Sequence, residues 1–284
     1  MVPLALLQLS CCLLLASSSG CGAPGNGHHD LMMLDSAVIT TLAGDVSEGY
    51  VADGGEDDPA KLQIAAPPNV DWRKKGAVTP AKNQNPCGSC WAFAAVATVE
   101  SQHKIRTGEL VSLSEQEVLD CDHSCNGCNG GFPKDALEWI KARGGVMTED
   151  AYPYVAYQHQ YCYSKAAARR VGKIVAVRQL VAGSEAALTM AVAGQPVAVG
   201  IEANDNFQHY KSGLYTGPCT TQQNHAVVVV GYGRDAHGRE YWIVKNSWGQ
   251  TLGDKGFFYM RKGADGRNGL CGIVKTGGVY PVMA

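Results

Sequence analysis

The sequence has no run of lysines or arginines and little net charge of either sign. Charged residues make up 18% of its 284 positions, and the formal net charge is -2 at pH 7. Proteins that bind nucleic acid or a membrane surface electrostatically carry a basic patch or stripe. The charge balance gives no sign of such a patch, so neither a nucleic-acid nor a membrane partner is expected.

Long apolar stretches are also missing, with one exception at the amino terminus. Residues 2–16 are mainly apolar and are followed by small residues. A run of this length before a small-residue segment is typical of a secretory signal peptide and too short for a confident membrane span. Residues 1–22 are therefore predicted to be a signal peptide, although a positively charged start is absent. The protein is expected in the secretory pathway, with an extracellular, vacuolar or lysosomal destination.

Residues 23–66 lack helical periodicity. They are rich in glycine and aspartate, and this composition predicts a mobile or processed segment. From Pro67 onward, turn residues and motifs become dense. Residues 67–284 are therefore predicted to form the functional domain.

Cysteine, by contrast, is abundant. Eleven cysteines are many for a cytosolic enzyme and are natural in an oxidising compartment. Three belong to the leader. The other eight are Cys87, Cys90, Cys121, Cys125, Cys128, Cys162, Cys219 and Cys271. This even number permits four disulfides but does not require them.

Apolar periodicity predicts helices in the first half of the domain. An amphipathic helix is predicted from Cys90 to a terminating glycine, Gly108. A second helix is predicted to begin at Ser114, where the spacing is that of a capping box. A third has Pro133 in its first turn and Gly144 after its end.

The second half of the domain changes character. After one helix at residues 184–193 come β-rich runs separated by turn residues: PVAVGIEA, HAVVVVGYG, YWIVKN and GFFYMRKG. This order predicts an α+β fold of two lobes with a groove between them. The helical lobe is expected at about residues 75–178 and the β-rich lobe at about residues 179–284.

Three kinds of chemistry fit the closely spaced Cys87 and Cys90. A zinc site could take its remaining ligands from Cys121, Cys125 and Cys128, but the distant lone cysteines suit disulfides better. A redox dithiol would need a βαβ unit, whereas a loop precedes this pair. A nucleophile at Cys90 is favoured, because a helix N-terminus stabilises the thiolate. Cys87 then belongs to a disulfide.

Four segments, in order, resemble those of one enzyme family. QNPCGSCWAF, beginning at Gln84, resembles the nucleophile segment of the papain family of cysteine proteases. NHAV from Asn224 and KNSWG from Lys245 are similar to its histidine and asparagine segments, and CNGG from Cys128 to its substrate loop. The resemblance covers the chain from about residue 67 onward and is closest to plant members. It implies a papain-like fold, with a helical N-terminal lobe, a β-barrel-like C-terminal lobe and the active site in the groove.

The resemblance implies a cysteine endopeptidase and assigns its catalytic residues. Cys90 would attack the scissile carbonyl to form a thioester acyl-enzyme, with His225 as its proton acceptor. Asn246 would hold the imidazole ring, and Trp248 would shield that hydrogen bond from water. The Gln84 side chain and the Cys90 backbone N–H would form the oxyanion hole.

The resemblance also implies how substrate binds. Gly130 and Gly131 would let a peptide backbone approach and pair as an added strand. The S2 pocket would be formed by Phe132, Pro133, Gly200, Ala226 and Thr276. Because this pocket is apolar and open, a bulky apolar P2 residue such as Leu, Val or Phe is predicted. Protein or peptide substrates and cystatin-type inhibitors are the expected partners, the chain is expected to be a monomer, and no metal or organic cofactor is expected.

The family pattern implies the disulfide pairing of the cysteines outside the leader. The implied pairs are Cys87 with Cys128, Cys121 with Cys162, and Cys219 with Cys271. Cys125 then remains as an odd thiol beside the substrate loop. It is either reduced or part of an alternative pairing with its neighbours.

The sequence departs from the family pattern at three places. Residues 23–66 resemble only the tail of a family prosegment, so a truncated prosegment or linker is expected there. Leu252 stands where the family usually has a second tryptophan, which predicts a looser shield around His225 and reduced activity. Asn224 replaces the aspartate of many plant members and is expected to alter the electrostatics beside His225. These departures leave open a catalytically poor storage or binding protein on the same fold.

Overall fold

The computed structural model of the chain describes residues 66–163, 169–264 and 266–284. The predicted signal peptide at residues 1–22 lies outside the described residues. So does the predicted prosegment or linker at residues 23–66, except for Ala66. The residues from Pro67 to the C-terminus belong to one compact unit. None of the described helices is long and apolar enough to cross a membrane.

The first half of this unit forms three helices, as the periodicity predicts. They are α1 (Cys90–Thr107), α2 (Glu115–Cys121) and α3 (Pro133–Arg143). α1 is buried from its first residue to Ser101, so it is the central helix of the core. Gly108 and Gly144 end α1 and α3 in the left-handed conformation, with φ of 78° and 75°. Glycine adopts this conformation without the steric cost of a Cβ atom.

α2 begins as the capping-box spacing predicts. The Ser114 hydroxyl accepts a hydrogen bond from the Glu117 backbone N–H at 2.9 Å. The Ser114 N–H donates to the Met147 carbonyl, and the Glu117 carboxylate accepts from the Met147 N–H. The cap residues therefore also tie the start of α2 to the loop around Met147.

The second half supplies most of the sheet and two more helices. The helices are α4 (Glu185–Gly194) and α5 (Asp205–Gln208). The strands are β1 (Val70–Asp71), β2 (Ile174–Gln179), β3 (Val197–Ile201), β4 (Leu214–Tyr215), β5 (His225–Arg234), β6 (Glu240–Lys245), β7 (Phe257–Arg261) and β8 (Val279–Met283).

Strand β5 is the centre of the sheet. The order is β2-β8-β3-β5-β6-β7-β4, and β1 pairs with the far end of β5. Every residue of β5 is buried except Arg234. α1 packs against β5, β3 and β8, and α3 packs against β2 and β8. The helices and the sheet therefore share one core, with α1 lying against the central strand.

Four strands, β1, β2, β4 and β8, were not anticipated, and one of them spans the expected boundary between the lobes. β2 and β8 pair with each other, and β8 also pairs with β3 through Ala198 and Val279. The boundary expected near residues 178 and 179 falls inside β2. β1 and most of β2 thus come before residue 179, where the β-rich lobe was expected to begin, and β8 packs against the helices.

Candidate active site

Cys90 is the first residue of α1, and its side chain belongs to the buried core, with 3% of its surface exposed. It is not part of a disulfide and so carries a thiol. Cys87, three residues earlier, forms a disulfide with Cys128. Cys121 pairs with Cys162, and Cys219 with Cys271. These pairs match those implied by the family pattern, and they exclude both the zinc site and the Cys87–Cys90 dithiol.

The first half of α1 packs against β5. Cys90, Ala94 and Ala97 lie at spacings of four and three residues, so they share one stripe of the helix. This stripe and the β5 residues Ala226 and Val228 belong to the same buried cluster. Ala94, Ala97, Ala226 and Val228 also line one small cavity. The stripe that begins with Cys90 therefore lies beside the residues that directly follow His225 in β5.

The His225 ring is held by Asn246. Its Nε2 atom lies 2.8 Å from Asn246 Oδ1, and both side chains are buried. The same Oδ1 atom accepts the backbone N–H of Ser247 at 2.8 Å. Because a backbone N–H only donates, this bond identifies Oδ1 as the amide oxygen. Nε2 must therefore carry the proton in neutral His225, which leaves Nδ1 as the ring's proton acceptor.

Trp248 covers this pair. Its ring stacks on the His225 ring, with centroids 4.6 Å apart and planes inclined by 26°. Trp248 itself is half-buried, so one face is turned to solvent and the other to the imidazole. The ring excludes water from the histidine side of the hydrogen bond. Leu252, expected to loosen this shield, is half-buried, and its carbonyl accepts the Gly256 N–H. The effect of Leu252 on activity stays a prediction.

Gln84 links the nucleophile segment to the asparagine segment. Its side chain is buried, with 4% exposed. Its Nε2 donates to the Cys87 carbonyl at 3.0 Å, and its Oε1 accepts from the Ser247 hydroxyl at 2.5 Å. Its backbone N–H donates to the Ser247 carbonyl at 2.8 Å, and its own carbonyl accepts from Tyr154 Oη at 2.7 Å. Gln84 is therefore fixed in position on all sides.

Ser247 and Tyr154 were not recognised as site residues from the sequence. Tyr154 Oη also lies 2.7 Å from the hydroxyl of Ser89, the residue before Cys90. Ser247 thus holds Gln84 through its side chain and its backbone N–H, and Tyr154 holds it through its carbonyl. The only sequence signal for Ser247 was its place between Asn246 and Trp248, and Tyr154 gave none.

The glycine loop is anchored beside the first turn of α1. The Cys87–Cys128 disulfide joins the two segments, and the Gly88 N–H donates to the Cys128 carbonyl at 2.9 Å. Gly130 has φ 116° and ψ 173°, a combination that residues with a Cβ avoid. A Cβ on Gly131 would lie 2.7 Å from Cys125 Sγ and 2.8 Å from the Trp91 ring. Both glycines are thus required by the backbone path and the packing.

Cys125 lies against this loop and is the second thiol in the described residues. Its side chain is half-buried. Burial is the largest effect on this group and raises the pKa of the Cys125 thiol to about 12. The thiolate is the reactive form of cysteine, so Cys125 is a poor nucleophile at neutral pH.

The residues expected around the S2 pocket come from three segments. Gly200 on β3 pairs directly with Ala226 on β5, which places the two side by side. Phe132 and Pro133 begin α3 directly after the glycine loop. Thr276 is exposed, and its carbonyl accepts from the Gln179 side chain.

Gln223 is a pocket residue that the sequence did not reveal. A Cβ on Gly200 would lie 2.9 Å from the Gln223 Cδ atom, so the amide group fills the space that a larger residue would use. Its Nε2 donates to the carbonyls of Gly200 and Gly272 at 2.9 and 2.7 Å. The Asn224 side chain exchanges hydrogen bonds with the Ala203 backbone, and its expected effect on the electrostatics beside His225 stays a prediction.

A group of mostly buried ionisable side chains lies next to Asn246. We call Lys82, Glu100, Glu115 and Lys245 the buried ionic cluster. Lys82 Nζ lies 2.7 Å from Glu115 and 3.1 Å from Glu100, and Lys245 Nζ lies 3.9 Å from Glu100. Lys82, Glu115 and Lys245 line the same small cavity as Asn246. The cluster joins α1 and α2 to the end of β6.

The pKa values of the groups in this cluster are shifted in different directions. Burial raises the pKa of Glu115 to about 8, and its contact with Lys82 only partly opposes this. Burial acts in the same sense on Glu100, but Lys82 and Lys245 outweigh it, so the Glu100 pKa lies below its usual value. Burial likewise lowers the pKa of Lys245.

Comparison with known proteins identifies the family. The model of the papain family cysteine proteases matches residues 66–282, so the chain belongs to that family. Fruit bromelain of Ananas comosus is 48% identical over 209 residues, which are 74% of this chain and 59% of that protein. Vignain of Ricinus communis is 49% identical over 218 residues, which are 76% of this chain and 60% of that protein. The chain thus spans about 60% of the length of these relatives.

Solved structures agree with this assignment. The bromelain protease from Ananas comosus, in complex with the E64 inhibitor, superposes with a TM-score of 0.74 at 45% identity. That match covers 77% of this chain and 100% of the bromelain chain. A cysteine protease of Carica candamarcensis, also in complex with E-64, gives a TM-score of 0.71 at 42% identity, over 76% of this chain and 98% of that one. The fold is therefore the α+β papain fold.

Proposed function

We propose that the chain is a cysteine endopeptidase that hydrolyses peptide bonds through Cys90 and His225. The observation that carries the proposal is the hydrogen bond between His225 and Asn246. Asn246 Oδ1 accepts this bond from the Nε2–H, so Nδ1 is left to accept a proton from a thiol. The helix that begins with Cys90 packs against the strand that begins with His225, which supports the pairing. Family membership supports the same pairing.

The first half of the proposed reaction transfers an acyl group to sulfur. His225 Nδ1 takes the Cys90 proton, and the N-terminal end of α1 stabilises the thiolate. The thiolate attacks the scissile carbonyl carbon, and the negative charge moves to the carbonyl oxygen. The imidazolium then gives its proton to the departing amine as the C–N bond breaks. A thioester on Cys90 remains.

The second half returns the enzyme to its starting state. Neutral His225 takes a proton from water, and the hydroxide attacks the thioester carbonyl. The C–S bond breaks, the peptide leaves as a carboxylic acid, and Cys90 regains its proton. Asn246 keeps the ring oriented during both halves.

The proposed oxyanion hole uses the Cys90 backbone N–H and the Gln84 amide. The amide nitrogen of Gln84 carries two hydrogens, and one is donated to the Cys87 carbonyl. The second is available to an oxyanion formed at Cys90. The bonds from Ser247 and Tyr154 fix Gln84 before substrate arrives, which supports this role.

We also propose a preference for bulky apolar P2 residues such as Leu, Val or Phe. The substrate backbone would pair with Gly130 and Gly131, and its P2 side chain would enter the pocket of Phe132, Pro133, Gly200, Ala226 and Thr276. The Gly200–Ala226 pairing and the position of Phe132 after the glycine loop support this pocket. The Gln223 amide is neutral and donates to two backbone carbonyls of the protein, so it adds no charge there.

Peptide hydrolysis by two cysteine variants tests the proposed nucleophile. Cys90→Ala should abolish both peptide hydrolysis and labelling by E-64, because no acyl-enzyme can form. Cys125→Ser is the matched control, since it removes the other described thiol and should keep most of the activity. Full activity in Cys90→Ala would refute the proposal.

Two further measurements separate the remaining parts of the proposal. Peptides that differ only at P2 should be cleaved with higher kcat/KM when that residue is Leu, Val or Phe than when it is Asp, Lys or Gly. Equal rates would remove the pocket assignment. Active-site titration should give a stoichiometric burst, whereas a storage or binding protein on this fold would give none.

The disulfides support a proposed cellular location for the protein. Three disulfides within the described residues support a protein made in the secretory pathway, with an extracellular, vacuolar or lysosomal destination. Its proposed substrates are proteins or peptides, with cystatin-type proteins as inhibitors. We propose that the chain acts as a monomer, because the proposed chemistry uses residues of one chain only. No metal or organic cofactor takes part in this chemistry.

A further inference from the structure

A second cavity lies at the opposite end of α1 from Cys90. We call it the basic cavity, and its volume is about 700 Å³. It is lined by the last turn of α1, the segment around Met147, residues 169–173 and the end of β8. An α-helix of 18 residues is about 27 Å long. The basic cavity is therefore separate from the proposed catalytic groove.

Cationic side chains surround this cavity. Arg106, Arg169 and Lys173 are exposed lining residues. Among the residues that the structure describes, neither Arg169 nor Lys173 forms an ion pair with a carboxylate. Arg106 Nε donates to the main-chain oxygen of the C-terminal residue, Ala284, at 3.2 Å. Cations that converge on a concave surface raise the local concentration of anions.

The remaining charges of the lining do not cancel these cations. Arg170 lies deeper, with 11% of its side chain exposed, and pairs with the buried Glu117 at 3.1 Å. His103 and Glu109 also line the cavity. Burial lowers the pKa of His103, which disfavours its charged form. Arg169 and Lys173 thus remain as cations beside the Glu109 carboxylate and the Arg106–Ala284 contact at the rim.

The floor of the cavity is apolar. Val111, Met147, Val171 and Met283 contribute to its lining. Met147 and Met283 are buried, while Val111 and Val171 are partly buried. Cavities of this volume suit a small organic molecule, for which apolar contacts supply affinity and a few polar groups fix orientation. An inorganic anion would leave the apolar floor uncovered.

We propose that the basic cavity binds an amphipathic organic anion, in which a carboxylate, sulfonate or phosphate group is joined to an apolar body. The acid group would accept charge-assisted hydrogen bonds from Arg106, Arg169 and Lys173. The apolar body would lie on Val111 and Val171, which are partly buried, and remove their exposed surface from water. Binding there uses no residue of the proposed catalytic site.

The test uses anilinonaphthalene sulfonate, an aromatic sulfonate whose fluorescence rises in apolar surroundings. Its Kd would be measured for the full chain and for the double variant Arg169→Gln/Lys173→Gln. The double variant should bind at least tenfold more weakly. The control, Lys74→Gln/Lys211→Gln, removes two exposed lysines that are not part of the cavity and should leave the Kd unchanged. An equal Kd in the full chain and the cavity variant would overturn the proposal.

Two further measurements keep the result decisive if a variant folds poorly. Hydrogen exchange of the unmodified chain with the dye bound should show protection at residues 106–111 and 146–148. Protection confined to other segments would overturn the proposal. Sodium sulfate should displace the dye no better than sodium chloride of equal ionic strength. Stronger displacement by sulfate would indicate a simple anion site and contradict the amphipathic ligand. None of these readouts depends on peptidase activity.

Discussion

The proton position on His225 is decided by a backbone group. The Ser247 N–H identifies the oxygen of Asn246, and that oxygen requires a proton on His225 Nε2. An amide does this without adding a charge next to the ring. Trp248 keeps water away from one side of the arrangement. The reactivity of the proposed base therefore depends on three consecutive residues, 246–248.

Asn246→Ala tests this dependence at the residue scale. Losing one hydrogen bond to a buried ring costs about 1–3 kcal/mol, which corresponds to a fall of roughly 5- to 150-fold in rate. We expect kcat/KM for a peptide to fall by that amount. In a Cys90→Ala background, where no thiol can protonate the ring, the ¹⁵N chemical shifts of neutral His225 should change from a pure Nε2–H tautomer to a mixture when Asn246→Ala is added. An unchanged tautomer together with unchanged kcat/KM would show that Asn246 does not position the ring.

At the scale of single elements, much of the helical half could be predicted from sequence. α1 and α3 end at Gly108 and Gly144, and α2 begins at Ser114, as the turn and cap patterns predicted. These signals are local, because each depends on residues within one turn of the helix end. The four β-rich runs likewise correspond to β3, β5, β6 and β7.

The elements that were missed lack such local signals. β8 contains Pro281, which cannot donate to a strand partner and argues against a central strand. β2 has exposed positions and ends in Arg178 and Gln179, so its apolar pattern is weak. Both strands form because they pair with each other. The positions of Gln84, Ser247 and Gln223 in the site depend in the same way on contacts between distant segments.

The helix caps provide a matched pair of stability tests. Ser114 is fully buried, accepts from the Glu117 N–H and donates to the Tyr152 carbonyl at 2.6 Å. Ser184, at the start of α4, accepts from the Ala187 N–H at 3.0 Å and is half-buried. Loss of a cap costs about 1 kcal/mol, and an unsatisfied buried carbonyl adds about 1–3 kcal/mol.

We therefore expect Ser114→Ala to lower the free energy of unfolding by about 2–4 kcal/mol, and Ser184→Ala by about 1 kcal/mol. Urea denaturation monitored by circular dichroism measures both. Equal losses in the two variants would show that the Tyr152 bond contributes nothing.

At the scale of the whole molecule, the buried ionic cluster connects the helices to the sheet. Lys82, Glu100, Glu115 and Lys245 are far apart in the sequence, and no motif predicted that they would meet. Lys245 immediately precedes Asn246, so the cluster also supports the strand end that carries the catalytic amide. Removing one charge from such a buried group leaves another uncompensated.

Glu115 makes stability depend on pH in a defined window. Its pKa is raised from 4.5 to about 8 in the folded chain. Between these values the folded state keeps a proton that the unfolded state has released. The stability that Glu115 contributes is therefore fully present below pH 4.5. It falls as the pH rises towards 8, by about 1.4 kcal/mol per pH unit at most.

Glu115→Gln should remove this dependence. We expect the unfolding free energy of the unmodified chain to decrease between pH 5 and pH 8, and that of Glu115→Gln to be nearly flat over the same range. Glu149→Gln is the control, because Glu149 also contacts Lys82 but is more exposed. Its slope should match that of the unmodified chain. Parallel slopes for all three proteins would mean that Glu115 is ionised throughout.

The central claim is that Cys90 reacts as a thiolate because His225 accepts its proton. Alkylation by iodoacetamide at pH 6, followed by mass mapping, measures this with Cys125 as an internal reference. Cys125, whose pKa is raised to about 12, should remain almost unmodified. We predict that Cys90 is alkylated at least a hundredfold faster than Cys125, and that His225→Ala removes most of this difference. Equal rates at the two cysteines, or a Cys90 rate unaffected by His225→Ala, would contradict the account.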